Sequence, residues 1–140
     1  MMSNQIMLEV VTPHRLELQK QVDYVVAPTI DGIVGVLPGH IRLITQLATG
    51  VLRYEIGGKN SFMAVSEGFM EVTPEKVIIL AEAADLPENV DVEQALEEKR
   101  RAEEALRHSL TEKINYNQTV ITLARAINKI EVAKKYGDNK

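Results

Sequence analysis

The chain of 140 residues has no cysteine and no tryptophan, and only 4% of its residues are aromatic. Without a thiol there is no disulfide framework, thiolate metal site or cysteine nucleophile, which suits a reducing compartment. Long hydrophobic runs are missing too. The longest, Val77 to Ala81, is strand-sized and far short of the ~20 apolar residues that cross a bilayer, so no direct membrane insertion is expected. Residues 1–5 show neither the basic patch nor the apolar run of a signal peptide. Positive charge is not in excess either: a net charge of −4 argues against general nucleic-acid binding through a basic face.

That charge is unevenly spread. Residues 1–84 carry six basic and nine acidic side chains, residues 85–114 five and nine, and residues 115–140 five and two. The net values of −3, −4 and +3 leave a basic tail on an acidic protein. Such a tail reads either as a surface for an acidic protein partner or as an ordinary solvated helix face. At 45% hydrophobic, the chain has enough apolar content for one modest core and a small appendage that leans on something else.

Over residues 1–84 apolar and polar residues alternate, with Gly or Pro clusters at strand-length intervals. Val22, Tyr24 and Val26 are expected on one side of a pleat; Leu52, Tyr54 and Ile56 on another, opposite Arg53 and Glu55. Turns are expected at Asp31-Gly32, Pro38-Gly39, Gly57 to Asn60 and Thr73 to Lys76. No helical pattern separates the strands, which favours a β-sandwich or flattened barrel over a βαβ fold.

Near Leu86-Pro87-Glu88-Asn89 the period changes from two to about 3.6. Asp91 followed by Gln94 makes a capping-box-like start. Val92, Ala95, Leu96, Ala102, Leu106 and Leu110 then form an apolar stripe, with Glu97–Arg101 and Glu103–Arg107 one turn apart on the exposed face. After a polar break at Thr111 to Asn117, a second stripe holds Val120, Leu123, Ala124, Ile127 and Ile130. Residues 85–140 are therefore expected as an antiparallel two-helix hairpin, giving an α+β chain overall. A pair of helices this size buries too little to be secure alone and needs a docking surface; two docks of similar free energy would make it a switch.

Motifs for chemistry are sparse. His14, His40 and His108 are dispersed, with no metal-ligand spacing around them, so no metal is expected. Gly58-Lys59 lacks the remainder of a phosphate-binding loop and reads as a hairpin turn. None of Ser61, Ser66 and Ser109 stands in a nucleophile-elbow motif, and an enzyme active site is not expected.

The segment Gly32-Ile33-Val34-Gly35-Val36-Leu37-Pro38-Gly39-His40-Ile41-Arg42-Leu43 resembles the G-x-x-G-[IVL]-L-P-G-H-x-P-L motif of epsilon subunits of F-type ATP synthases. Val65-Ser66-Glu67-Gly68-Phe69-Met70-Glu71-Val72 resembles that family's V-S-G-G-F-x-E-V strand, and Val77 to Ala81 its V-T-I-L-A strand. With the hairpin, the likeness spans nearly the whole chain. Two positions depart from the pattern: Arg42 stands where proline is usual, and Glu67 replaces one of the paired glycines.

The resemblance implies a non-catalytic rotor subunit on the cytoplasmic face of the bacterial plasma membrane, or alternatively the stromal face of a thylakoid. Its partners would be the gamma subunit, the membrane ring of proteolipid subunits, and the alpha and beta subunits of the catalytic head. The tip formed by Gly35, Pro38, Gly39, His40 and Arg42 would face the ring, with Arg42 either pairing with an acidic loop there or simply lying in solvent. The sandwich would pack on gamma, and the extended hairpin would restrain ATP hydrolysis, with Arg125, Lys129, Lys134 and Lys135 meeting an acidic part of the head. Some bacterial members bind ATP through an [IL]-D-x-x-R-A motif. Here Val90-Asp91-Val92-Glu93-Gln94-Ala95 has Gln94 for its arginine, leaving Asp91, Arg101, Arg125 and Lys129 as the remaining contacts. The resemblance therefore implies weak or absent ATP binding, no other cofactor, and a helix-capping role for Asp91. Two further readings stay open from the residues alone: a free nucleotide-sensing module and an unrelated β-sandwich adaptor.

Overall fold

The computed structural model describes residues 4–108 and 116–137, in two compact units, Met1–Leu86 and Pro87–Lys140. The first unit is built from ten strands: β1 Ile6–Val11, β2 Leu16–Val22, β3 Tyr24–Thr29, β4 Gly32–Val36, β5 Leu43–Leu47, β6 Gly50–Ile56, β7 Lys59–Val65, β8 Gly68–Val72, β9 Lys76–Ala81 and β10 Ala84–Asp85. They hydrogen-bond in the order β10-β7-β6-β3-β5-β8-β9-β1-β2, with β4 attached to β3. Every pairing is antiparallel except that of β1 with β9. The result is the β-sandwich that the alternating pattern implies.

Strand period two sends every second side chain inward, and the inward set is almost wholly aliphatic. Ile6, Leu8 and Val10 of β1, Leu52 of β6, Met70 of β8, and Val77 and Ile79 of β9 are all fully buried in one cluster. The register expected around Val22 is different in the structure. Asp23 interrupts the pleat, where its carboxylate accepts a hydrogen bond from Gly57 N at 2.8 Å, so Val22 closes β2 as a buried residue. Beyond the break Val25 and Ala27 point inward, while Tyr24 and Val26 turn outward and are half-buried.

Close backbone approach explains one glycine. A side chain at Gly68 would run into the Leu80 backbone carbonyl across the β8–β9 ladder. The neighbouring position has no such constraint, and Glu67 there accepts a hydrogen bond from the Thr49 hydroxyl at 3.4 Å. Hence one of the paired glycines is replaceable and the other is not.

In the second unit a short 3-10 turn at Pro87–Asn89 leads into helix α1, Val92–His108, which packs on helix α2, Tyr116–Tyr136. Asp91 caps α1: its carboxylate accepts the Gln94 N–H at 3.0 Å, and its carbonyl accepts that of Ala95 at 2.9 Å. Gly137, just past the end of α2, lies beside the Pro87 carbonyl, so the helices run antiparallel. Among the described residues, the buried ones are Ala95 and Ala102 of α1 and Ala126, Ile130 and Val132 of α2.

This seam corrects part of the expected stripes. Leu96, Val120 and Ala124 are exposed: Leu96 sits about 100° around α1 from buried Ala95, and Val120 and Ala124 sit about 120° and about 160° around α2 from buried Ala126. Leu110 and residues 111–115 of the expected polar break lie outside the described residues. Glu97 pairs with Arg101 at 3.4 Å as expected, and more closely with Arg100 at 2.7 Å, which reaches on to Glu104 at 3.0 Å. Among the described residues no ion pair joins Glu103 to Arg107.

Candidate functional site

At the β3–β4 turn the chain reverses through Ile30 and Asp31. The Thr29 hydroxyl donates to Gly32 O at 2.6 Å, and Gly32 takes a positive φ of 115°, which disfavours any side chain. Strand β4 then runs into a projecting loop at Leu37 to Arg42. Two backbone hydrogen bonds shape it: His40 N to Leu37 O at 3.1 Å closes the Pro38-Gly39 turn, and Gly39 N to Pro74 O at 2.8 Å ties it to the turn before β9. Gly39 has φ of 84°. The loop is thus anchored at its tip, while Leu37, Ile41 and Arg42 are exposed.

Within this group the residues differ. His40 and Pro38 are half-buried, and the His40 Nδ1 lies 2.6 Å from Ile41 O. Gly35 is exposed, has no positive φ and has open space where a side chain would stand, so neither turn geometry nor tight packing demands glycine there.

A second feature of the sandwich escaped the sequence reading. Ile44 of β5 is 74% exposed, Phe69 of β8 53% and Leu80 of β9 49%. Phe69 stands directly opposite Leu80, and Ile44 is diagonal to Phe69, being paired with Glu71. All three therefore share one outward face, an apolar surface of the kind that marks contact with another molecule. The signal was present: strands β5, β8 and β9 carry large apolar residues at both parities.

On α2, Arg125 and Lys129 lie one turn apart on a common face and are half-buried. Lys134 and Lys135 are exposed in the last turn, where cations complement the helix dipole, and Lys135 Nζ sits 5.5 Å from the centre of the Tyr136 ring. At 100° per residue Lys134 projects roughly opposite Arg125, so the four cations do not form one face.

The five residues weighed for a nucleotide are spread along both helices, Asp91, Gln94 and Arg101 at the start of and along α1 and Arg125 and Lys129 on α2. Asp91 and Gln94 are joined as the helix cap, and Arg101 lies ~15 Å further along the α1 axis, engaged with Glu97. A shallow groove beside Arg101, lined by Ala102, Ala105, Thr119 and Thr122, includes none of Asp91, Gln94, Arg125 or Lys129. The hydrogen bond and charge of Arg100 hold the Glu97 carboxyl below its ordinary range, and Glu97 in turn raises Arg100. Among the described residues no group of His, Asp or Glu is arranged to hold a metal, and no helix is long and apolar enough to cross a membrane.

Comparison with known proteins gives two family matches in tandem. Residues 5–87 match the ATP synthase delta/epsilon chain β-sandwich domain, and residues 88–134 the delta/epsilon chain long α-helix domain. The ATP synthase epsilon chain of Desulforamulus reducens is 42% identical over 127 residues, covering 91% of this chain and 96% of that one. That of Halalkalibacterium halodurans is 42% identical over 126 residues, covering 90% and 95%. Among solved structures, a chain in the OSCP/F1/c-ring assembly of the Euglena gracilis mitochondrial ATP synthase, in rotational state 1, superposes with a TM-score of 0.77. It shares 30% identity over 96% of this chain and 84% of its own.

Proposed function

The chain belongs to the ATP synthase delta/epsilon family, and from that premise we propose that it is a central-stalk subunit whose sandwich docks on gamma and the membrane ring while its hairpin restrains ATP hydrolysis. It is a non-catalytic subunit of the synthase. The observation that carries the docking part is the pairing, on one rigid sandwich, of an anchored projecting loop with a separate outward apolar surface at Ile44, Phe69 and Leu80. A rotor element that transmits torque needs two contacts on a stiff body, one toward the stalk and one toward the ring.

In this reading the apolar surface meets gamma, because burying large side chains from water is the main non-directional source of lasting association. The loop of Gly35, Pro38, Gly39, His40 and Arg42 meets the polar loops of the ring, with the exposed Arg42 supplying a charge where the family has proline. The hairpin, residues 85–140, is the regulatory part and the sandwich, residues 1–84, the platform. Lys134 and Lys135 are exposed for contact with an acidic region of the alpha and beta subunits, joined by Arg125 and Lys129 when the helices extend. Engagement of Asp91 in the cap supports weak or absent ATP binding. The bacterial relatives favour the cytoplasmic face of the plasma membrane, with the chain peripheral to it.

Phe69→Asp and Ile44→Asp test the docking surface. Both positions are exposed, so each variant is expected to melt near the unaltered chain yet fail to co-purify with gamma. Full co-purification of the double variant would refute the assignment of this face.

A further inference from the structure

We propose that strand β4 pairs antiparallel with β4 of a second copy of this chain, joining two unassembled subunits edge to edge about Gly35. The backbone dictates which groups are available. Ala48 N donates to Pro28 O at 3.0 Å, so the even-numbered residues of β3 hydrogen-bond away from β4. In the β3–β4 ladder the bonded pairs are therefore Val25 with Val36, Ala27 with Val34 and Thr29 with Gly32, while Ile33 and Gly35 turn their N–H and C=O groups outward. No other strand pairs with β4 among the described residues.

Sheet edges are usually blunted by charge, proline or a bulge, yet Gly32–Val36 contains no charged residue and no proline, and its register with β3 is unbroken. The outward side chains here are instead apolar, with Ile33 of β4 78% and Leu37, just past its end, 63% exposed, and Gly35 between them presents open space.

The sequence of this edge matches itself. Ile33-Val34-Gly35-Val36-Leu37 reads almost the same in both directions, so antiparallel pairing about Gly35 sets each Ile33 opposite a Leu37 and each Val34 opposite a Val36. Charges agree at both ends: the same register brings Asp31 of either copy beside the loop of the other that carries His40 and the exposed Arg42. A twofold axis repeats every contact, the self-complementary form that dimers use. The seam is short, which places it among weak interfaces that form only at high subunit concentration. It uses the free chain alone and does not rest on the docking proposed above.

Sedimentation equilibrium of the full chain from ~10 µM to ~1 mM is expected to show mass rising toward double by mass action. Gly35→Pro removes an N–H that faces the open edge and leaves the ladder to β3 intact; Ile33→Lys sets a charge in the seam. Each is expected to hold the mass at that of the monomer, with circular dichroism checking the fold, and Ile33→Lys alone suffices if proline disturbs β4. In the unaltered chain the Gly35 amide should exchange more slowly as concentration rises. A chain monomeric at every concentration, or a dimer that Ile33→Lys leaves intact, would overturn the proposal.

Discussion

The two units of this chain are held together in different ways. The sandwich buries long aliphatic side chains from nearly every strand, Ile6, Leu8, Leu47, Leu52, Met70 and Ile79 among them, in one continuous cluster. Among the described residues the hairpin buries Ala95, Ala102, Ala126, Ile130 and Val132, three of them alanines with little apolar area to withdraw from water. At ~25 cal/mol per Å² the first supplies a secure core and the second only a thin seam. The function proposed above would call for such a contrast, since an arm with little buried area in one place can be won by another.

That contrast can be broken at specific positions. The largest effect is expected in the platform: Gly68→Val forces a side chain against the Leu80 carbonyl, so β8 and β9 must part, at a cost of about 3–5 kcal/mol in urea denaturation. Glu67→Gly, one residue away, is expected to change little by comparison. An unaffected Gly68→Val would mean that the ladder is not the rigid body described here.

In the arm the expected losses are smaller and local. Asp91→Ala removes the cap and costs about 1 kcal/mol, read as faster amide exchange in the first turn of α1 with the sandwich amides unchanged. Spread of that loss into the sandwich would contradict the separation of the two units.

Smallest is the acid response of the exposed Glu97 cluster. Because Arg100 lowers the folded carboxyl below its unfolded value, the pair contributes helix stability above the unfolded pKa and loses it as pH falls through the folded one. Helical ellipticity should therefore decline in that acidic window for the unaltered chain and less for Glu97→Gln, with little change above it. Equal declines in both would remove the pair from the account.

Much of the sandwich was legible because strand alternation and turn glycines are local signals: Leu52 and Tyr54 point inward and Gly39 takes its positive φ as the pattern required. Asp23 was not legible as a break in the pleat, since its carboxylate serves a turn more than thirty residues away. Nor was the exposed face at Ile44, Phe69 and Leu80, because a strand apolar at both parities looks the same whether its second face meets a core or a partner. In the hairpin the period gave the helices and much of their phase, since Ala95, Ala102 and Ile130 of the expected stripes are buried, but Leu96 and Val120 fall on the exposed side. The cap at the head of α1 was legible as well: Asp91 followed three residues later by Gln94 was expected to start a helix, and the Asp91 carboxylate accepts the Gln94 backbone N–H at 3.0 Å.

The most direct test is ATP hydrolysis by the assembled synthase carrying either the full chain or one ending at Leu86. The account predicts that the shortened chain still assembles through its complete sandwich and that hydrolysis runs faster without the hairpin. Equal rates from the two assemblies would contradict the arm's regulatory role, and failure of the shortened chain to assemble would contradict the platform's.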